Sequence, residues 1–305
     1  MATENFLVDS LPAYVKENRD LLIKRVVLGG GTIERMAKQT GIKQDAYLNY
    51  LDLAPILQDG KGCGFTPEGT VGLSDRLINT GMIKINLEVC PENLRGKYAE
   101  YLLRTAAGEH DLPFEAEIVD GLIAFVNETM EKAVWQSDTT SSDPNLARFD
   151  GLLKILAGEA DVVTETIAAG TSMIDAVNRV YLAVPENVLN KGVTISLSPA
   201  AFRQYVVELV AANLYHYPGP QNENAQQIIL PGSNAIVKLT PGLAGSDKIV
   251  ATWDRNLVYG TDLEGDKEVV DITYDHRAET FAIKVRWNAG TQVAFPDEVV
   301  LATLQ

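Results

Sequence analysis

Near the end of the chain, residues 268–274 and 280–287 alternate apolar and polar side chains almost without a break. A period of two belongs to half-buried antiparallel strands, with one face in a core and the other in water. Asp275-His276-Arg277 and Asn288-Ala289-Gly290 fall where turns between such strands are expected. Residues 292–300 then read as a short strand interrupted by Pro296. The whole stretch reads as a sheet that closes the fold, and nothing in it resembles a catalytic centre.

What precedes this sheet divides into four blocks. In residues 11–57, Leu11, Val15 and Leu21-Leu22 mark a first short helix. Gly29-Gly30-Gly31-Thr32 breaks it, and Thr32-Ile33-Glu34-Arg35-Met36 starts another that Gly41 ends. The glycine triplet lacks the later Gly-Lys-Ser/Thr of a phosphate loop and reads as a helix breaker. Residues 58–89 carry Gly60, Gly62, Gly64, Gly69, Gly72 and Gly81 and lose helical periodicity, while residues 82–89 alternate as a strand. A glycine-rich hairpin with one good arm has little core of its own, so it is expected to project and pack on something else.

The third block holds the longest helical pattern. Phe114, Ile118, Leu122, Val126, Met130 and Val134 recur every four residues, with Phe125 and Ala133 on the adjoining stripe. Pro113, Glu115 and Glu117 suit a helix start, and the helix would be about 30 Å long. Ser137 to Pro144 form a polar loop. In the fourth block, Ser172 with Asp175 forms an approximate capping box before a helix. Residues 193–197 read as a strand, Ser198-Pro199 cap a second helix, and residues 228–230 and 235–237 are further strands around Pro231-Gly232-Ser233-Asn234.

Composition excludes several classes of function. A formal charge of −15 and a pI near 4.7 argue against a surface that reads nucleic acid. Cys63 and Cys90 are too few for a disulfide scaffold and suit a reducing compartment as free thiols. The acidic start has no signal-peptide core, and no apolar run approaches the ~20 residues of a membrane helix. The chain of 305 residues, as one domain or two, can bury about three quarters of its unfolded surface without staples.

Catalytic chemistry is hard to place. His110, His216 and His276 form no metal-spaced pair, no Gly-x-Ser-x-Gly elbow exists, and the carboxylates are scattered. Trp135, Trp253 and Trp287 read as packing residues. No catalytic residue, cofactor or metal is expected.

In order, the blocks are a helical arm, a glycine-rich loop, a long helix, a mixed α/β region and a closing sheet. With Lys84-Ile85-Asn86-Leu87-Glu88-Val89-Cys90-Pro91, Leu112-Pro113-Phe114-Glu115, Phe149-Asp150-Gly151-Leu152-Leu153 and Trp253-Asp254-Arg255-Asn256-Leu257-Val258-Tyr259-Gly260-Thr261-Asp262, the chain resembles the major capsid proteins of tailed bacteriophages. More narrowly it resembles those of Bacteroides-type phages or prophages. The resemblance implies an α+β, Hong Kong 97-type capsid fold. Its parts would be an N-terminal helical arm (1–57), an extended β-hairpin loop (58–90), a peripheral domain with a spine helix (91–163), an axial α/β domain (164–252) and closing β strands of the peripheral domain (253–305).

It also implies self-assembly as pentamers and hexamers into an icosahedral shell around double-stranded DNA, which the shell encloses non-specifically. The shell would be built in a bacterial host cytoplasm and end in the virion. A separate scaffolding protein, a portal and decoration proteins are the implied partners, with no membrane. Inter-subunit contact candidates are Lys61, Arg76, Ile83, Lys84, Ile85 and Leu87. Some relatives crosslink subunits through a lysine and an asparagine, but Lys61 and Lys84 have no matching acceptor or catalytic acid. Two alternatives stand beside this reading: an encapsulin-like nanocompartment shell, and a soluble acidic enzyme or ligand-binding domain.

Overall fold

The structure is a computed structural model. It describes residues 31–42, 45–53, 71–90, 114–214, 226–230, 232–262, 270–275 and 277–305, with single positions between 14 and 28. Residues 58–70 of the expected glycine-rich loop, all three histidines and Cys63 lie outside the described residues.

The hub of the first sheet is β12 (Thr280–Val293). Phe281, Ile283, Val285, Trp287 and Ala289 are buried while Ala282, Lys284 and Arg286 are exposed, as the period-two pattern requires. On one side β12 pairs antiparallel with β4 (Gly81–Val89). On the other it pairs with β10 (Leu257–Thr261) at its far end and β11 (Val270–Asp275) at its near end. Strand β1 (Ala37–Gln39) adds parallel to β10.

The turn expected at Asn288-Ala289-Gly290 is corrected, because β12 runs straight through it. The Asn288 amide donates to Asp262 Oδ1 at 3.0 Å. A Cβ at Gly290 would stand 2.4 Å from the Asn79 carbonyl oxygen, so this glycine serves a close backbone approach and not a bend.

Helix α1 (Phe114–Gln136) packs on this sheet through Val119, Ile123, Val126, Met130, Ala133 and Val134. Its 23 residues span about 34 Å. Phe125, expected beside the apolar stripe, is 66% exposed. The arm before it is helical at positions 22, 25 and 26, where Leu22 and Val26 enter the same core and Arg25 meets Asp120 at 2.7 Å.

The second helix expected from Thr32 does not form. Buried Glu131 of α1 accepts from both the Thr32 amide, at 2.9 Å, and the Thr32 hydroxyl, and the Trp135 indole N–H donates to that hydroxyl at 3.0 Å. A single turn held this way delivers the chain into β1, and Gly41, with φ +81°, reverses it toward β2 (Ala46–Leu53).

The second sheet has the order β5 (Val163–Ile167), β13 (Val300–Leu304), β9 (Lys248–Thr252), β6 (Thr194–Leu197), β8 (Ile236–Leu239), β7 (Gln227–Ile229). Helix α2 (Leu152–Gly158) precedes it and belongs to the first core. Helices α3 (Met173–Ala183), α4 (Glu186–Leu189) and α5 (Pro199–Ala211) contribute to a second core of their own. The caps read from sequence are present: Ser172 Oγ accepts from the Asp175 amide and Ser198 Oγ from the Ala201 amide. The closing segment is therefore divided. Strands β10 to β12 complete the first sheet, and β13 lies between β5 and β9 of the second.

Three chain crossings join the lobes, from α2 to β5, from β9 to β10 and from β12 to β13, and the last two run side by side. Asn256, fully buried, stitches them together. Its side chain donates to the Phe295 carbonyl at 2.8 Å and accepts from the Phe295 amide at 2.7 Å. Beside it the buried Glu298 carboxylate takes the Trp253 indole N–H at 2.6 Å and the Lys191 ammonium at 2.6 and 2.8 Å. Lys191 also sits 4.7 Å over the Trp253 ring.

Candidate assembly surface

Three surface features are not explained by the subunit's own packing. The first is a two-stranded hairpin. Strand β3 (Val71–Ile78) pairs along its full length with β2, not with β4, so the projecting unit is β2–β3 and the expectation of a hairpin ending in residues 82–89 is corrected. A two-stranded ribbon is marginal by itself. Among the described residues it is fastened at its base. Ile78 is wholly buried with Ile42, Val258 and Ala294, the Leu77 carbonyl accepts from Gln292 Nε2 at 2.7 Å, and Arg76 pairs with Glu159 of the loop after α2. Tyr47, paired with Leu77 at this base, is nevertheless 60% exposed.

The second feature is a groove of about 320 Å³ between β4 and α1. Ile83, Ile85 and Leu87 form one wall, Leu122, Phe125 and Val126 the other, and Arg148 and Phe149 close its end. Its charged lining groups are Lys84 and Arg148, both cations. Leu87 remains open at its rim, and Met82 on the same strand is 70% exposed. Solvent-exposed apolar side chains gathered along a groove mark an interaction surface more often than singly scattered ones do.

The third feature lies on the second lobe. Helix α5 buries Ala201, Phe202, Tyr205 and Leu209, yet its Val207 and Val210 are exposed, as are Leu214, Leu182 and Ile229 elsewhere on this lobe.

The six residues expected at subunit contacts are thus scattered. Lys61 lies outside the described residues. Arg76 is engaged at the hairpin base. Ile83 and Ile85 are half-buried against this subunit's own first core, while Lys84 and Leu87 are exposed on the same strand. Sequence reading missed Met82, Phe125 and the Leu182–Val207–Val210 group. Phe125 carried a signal, since it falls one step off the stripe of α1. Val210 carried a misleading one, since helical spacing placed it with the core.

Among the described residues no group of three His, Cys, Asp or Glu could hold a metal. Tyr259 is the most displaced titratable group, its phenol pushed far up by burial inside the first core. That keeps it neutral and makes it a packing residue. Trp135 and Trp287 are buried in the same core. Among the described residues no helix is long and apolar enough to cross a membrane.

No family model matches the sequence, and no curated protein matches it either. The fold has clear relatives. A chain of the satellite phage P4 procapsid, a structure that includes the size determination (Sid) protein, superposes with a TM-score of 0.63 at 11% identity, over 94% of this chain and 91% of that one. A virus-like particle from Pyrococcus furiosus gives 0.51 at 11% identity, over 95% and 99%. The capsid of the cyanophage P-SCSP1u gives 0.52 at 9% identity, over 89% and 86%. The α+β fold of this chain is the fold of these shell-forming proteins.

Proposed function

We propose that the chain is a structural major capsid subunit. It would self-assemble as pentamers and hexamers into an icosahedral shell that encloses double-stranded DNA. The observation that carries this reading is the hairpin β2–β3: a subunit with the fold of phage capsid chains holds a full ribbon outside both of its cores. In the shell that ribbon would lie across a neighbouring subunit, against apolar surface of the kind that lines the α1–β4 groove. The outward apolar group of α3, α5 and β7 would meet its copies around the five-fold and six-fold axes. Fold analogy supports the assignment of roles, and the exposed surfaces give it physical content.

A net charge of −15 suits a wall that holds DNA without binding it tightly, since phosphate binding needs clustered cations. Scaffolding, portal and decoration proteins would be the partners, and the host cytoplasm the place of assembly. The fit to Bacteroides-type phages rests on the sequence segments alone. Expression by itself and with a co-encoded scaffold, followed by electron microscopy and sedimentation, tests the reading. Pentamers, hexamers or closed shells are expected. A strict monomer at every salt and protein concentration, with scaffold present, would sink it.

A further inference from the structure

Strand β4 has one hydrogen-bonded neighbour, β12, so among the described residues its outer edge is open over nine residues. An open edge offers a row of unpaired amides and carbonyls to any second strand. We propose that this edge is an isologous two-fold contact, in which β4 of one copy pairs antiparallel with β4 of a second copy about Asn86.

The argument is the self-complementarity of the strand in that register. Pairing centred on Asn86 sets Lys84 of each copy opposite Glu88 of the other, twice by symmetry. On the opposite face Ile85 meets Leu87, again twice, and Ile83 falls opposite Val89. Centring on Ile85 instead would put Lys84 against Asn86 and Met82 against Glu88, and the charge match is lost. Lys84, Asn86 and Glu88 all lie exposed, with Glu88 accepting from the Thr280 hydroxyl at 2.7 Å.

The lone subunit supplies a further reason for it. In the register of β4 with β12, Lys84 stands directly opposite Arg286, and Lys284 is opposite Asn86. Like charges placed across a strand pair are unfavourable, and Arg286 and Lys284 are both exposed. The carboxylate of a partner's Glu88 would answer that cationic cluster. The groove beside the edge, with exposed Leu87 and Phe125, supplies apolar surface that the same contact would cover. Charged side chains on an edge strand have another common use, which is to prevent pairing. The two uses make opposite predictions.

The test is charge exchange in the full chain. Lys84→Glu leaves only acids on this face of the edge, and Glu88→Lys leaves only bases. Each alone is expected to weaken two-fold self-association at least tenfold by sedimentation. An equimolar mixture of the two, and the double variant Lys84→Glu/Glu88→Lys, are expected to recover it. Asn86→Cys is expected to form an 86–86 disulfide under mild oxidation, since facing Cα atoms in antiparallel pairs are about 4.5–5.5 Å apart and within a disulfide's span.

Wild-type association by both single variants, no recovery in the mixture, or no 86–86 disulfide would overturn the proposal and leave the charges as edge guards. The pairing does not depend on the shell reading. Shells without the disulfide would keep that reading and remove this one, and crosslinked dimers that never form shells would do the reverse.

Discussion

Strands β3 and β4 are separated by two residues, Asn79 and Thr80, and their environments are opposite. Strand β3 leaves the body to pair with β2 in a ribbon, while β4 lies beside β12 in the first sheet. Their sequences explain much of this. Strand β4 places Ile83 and Ile85 on one face and Lys84 and Asn86 on the other, so it can half-bury. Strand β3 carries Ser74-Asp75-Arg76 between Leu73 and Leu77, so its apolar residues are interrupted by three polar ones. The corner between them separates the part of the subunit that folds by itself from the part that needs a partner. It is set by tight backbone contact: a Cβ at Gly81 would come 1.8 Å from the Arg148 carbonyl oxygen.

The largest effect is therefore expected at the corner. Gly81→Ala forces backbone away from backbone and should destabilise the subunit by about 3 kcal/mol. Asn49→Ala, exposed on the ribbon, should stay within about 0.5 kcal/mol. Urea unfolding measures both, and equal costs would erase the distinction between ribbon and body.

A sharper version uses limited trypsin digestion of unassembled protein. The Lys84–Ile85 bond lies in a strand paired with β12 and should resist, whereas the ribbon should be cut and then become protected on assembly. Rapid cleavage at Lys84 would show that β4 belongs with the ribbon after all.

A smaller effect is expected from Glu159→Ala, which leaves Arg76 without its carboxylate at the hairpin base. About 1 kcal/mol of stability should be lost, with faster amide exchange confined to β2 and β3. Exchange that rises equally in β4 would contradict a local tether.

The smallest effect concerns the loop of residues 137–151 that carries Arg148 to the corner. Hydrogen bonds from Lys154 and Thr140 hold the Asp138 carboxyl at about 2, below its ordinary 3.8. Burial alone would raise Asp150, but bonds from Lys154 and Thr139 outweigh it and keep it low. The two carboxylates raise Lys154 in turn. A lowered carboxyl stabilises fully above its ordinary value, and the contribution from Asp138 disappears as pH falls from 3.8 toward about 2. The raised Lys154 contributes below its ordinary 10.5 and is lost as pH climbs above it. Lys154→Met should return Asp138 toward 3.8 by NMR titration; an unmoved value would place the cause elsewhere.

The sequence made α1, β4, β6, α5 and both serine caps legible, because each rests on local period or local capping. What failed was non-local. The path from Thr32 to β1 depends on a carboxylate 99 residues away. Strand β2 finds its register only against β3, across a long connection. Gly290 resembles a turn residue until the Asn79 backbone is placed against it. The candidate surface was half legible for the same reason. Alternation identified β4, but not which edge of it stays open. Helical spacing could not tell that Val210 and Phe125 face away from both cores.

The paired crossings between the lobes have a mechanical consequence. Two antiparallel cords clamped at one point by Asn256 share any load between them. A twist applied to one lobe must shear both of the Asn256–Phe295 bonds at once, and the Glu298–Trp253–Lys191 cluster alongside braces the same spot. Such a waist transmits torque instead of absorbing it. In the shell proposed above, a subunit built this way would tilt as one stiff lever when its neighbours move, and any change in curvature would be taken up at its outer contacts.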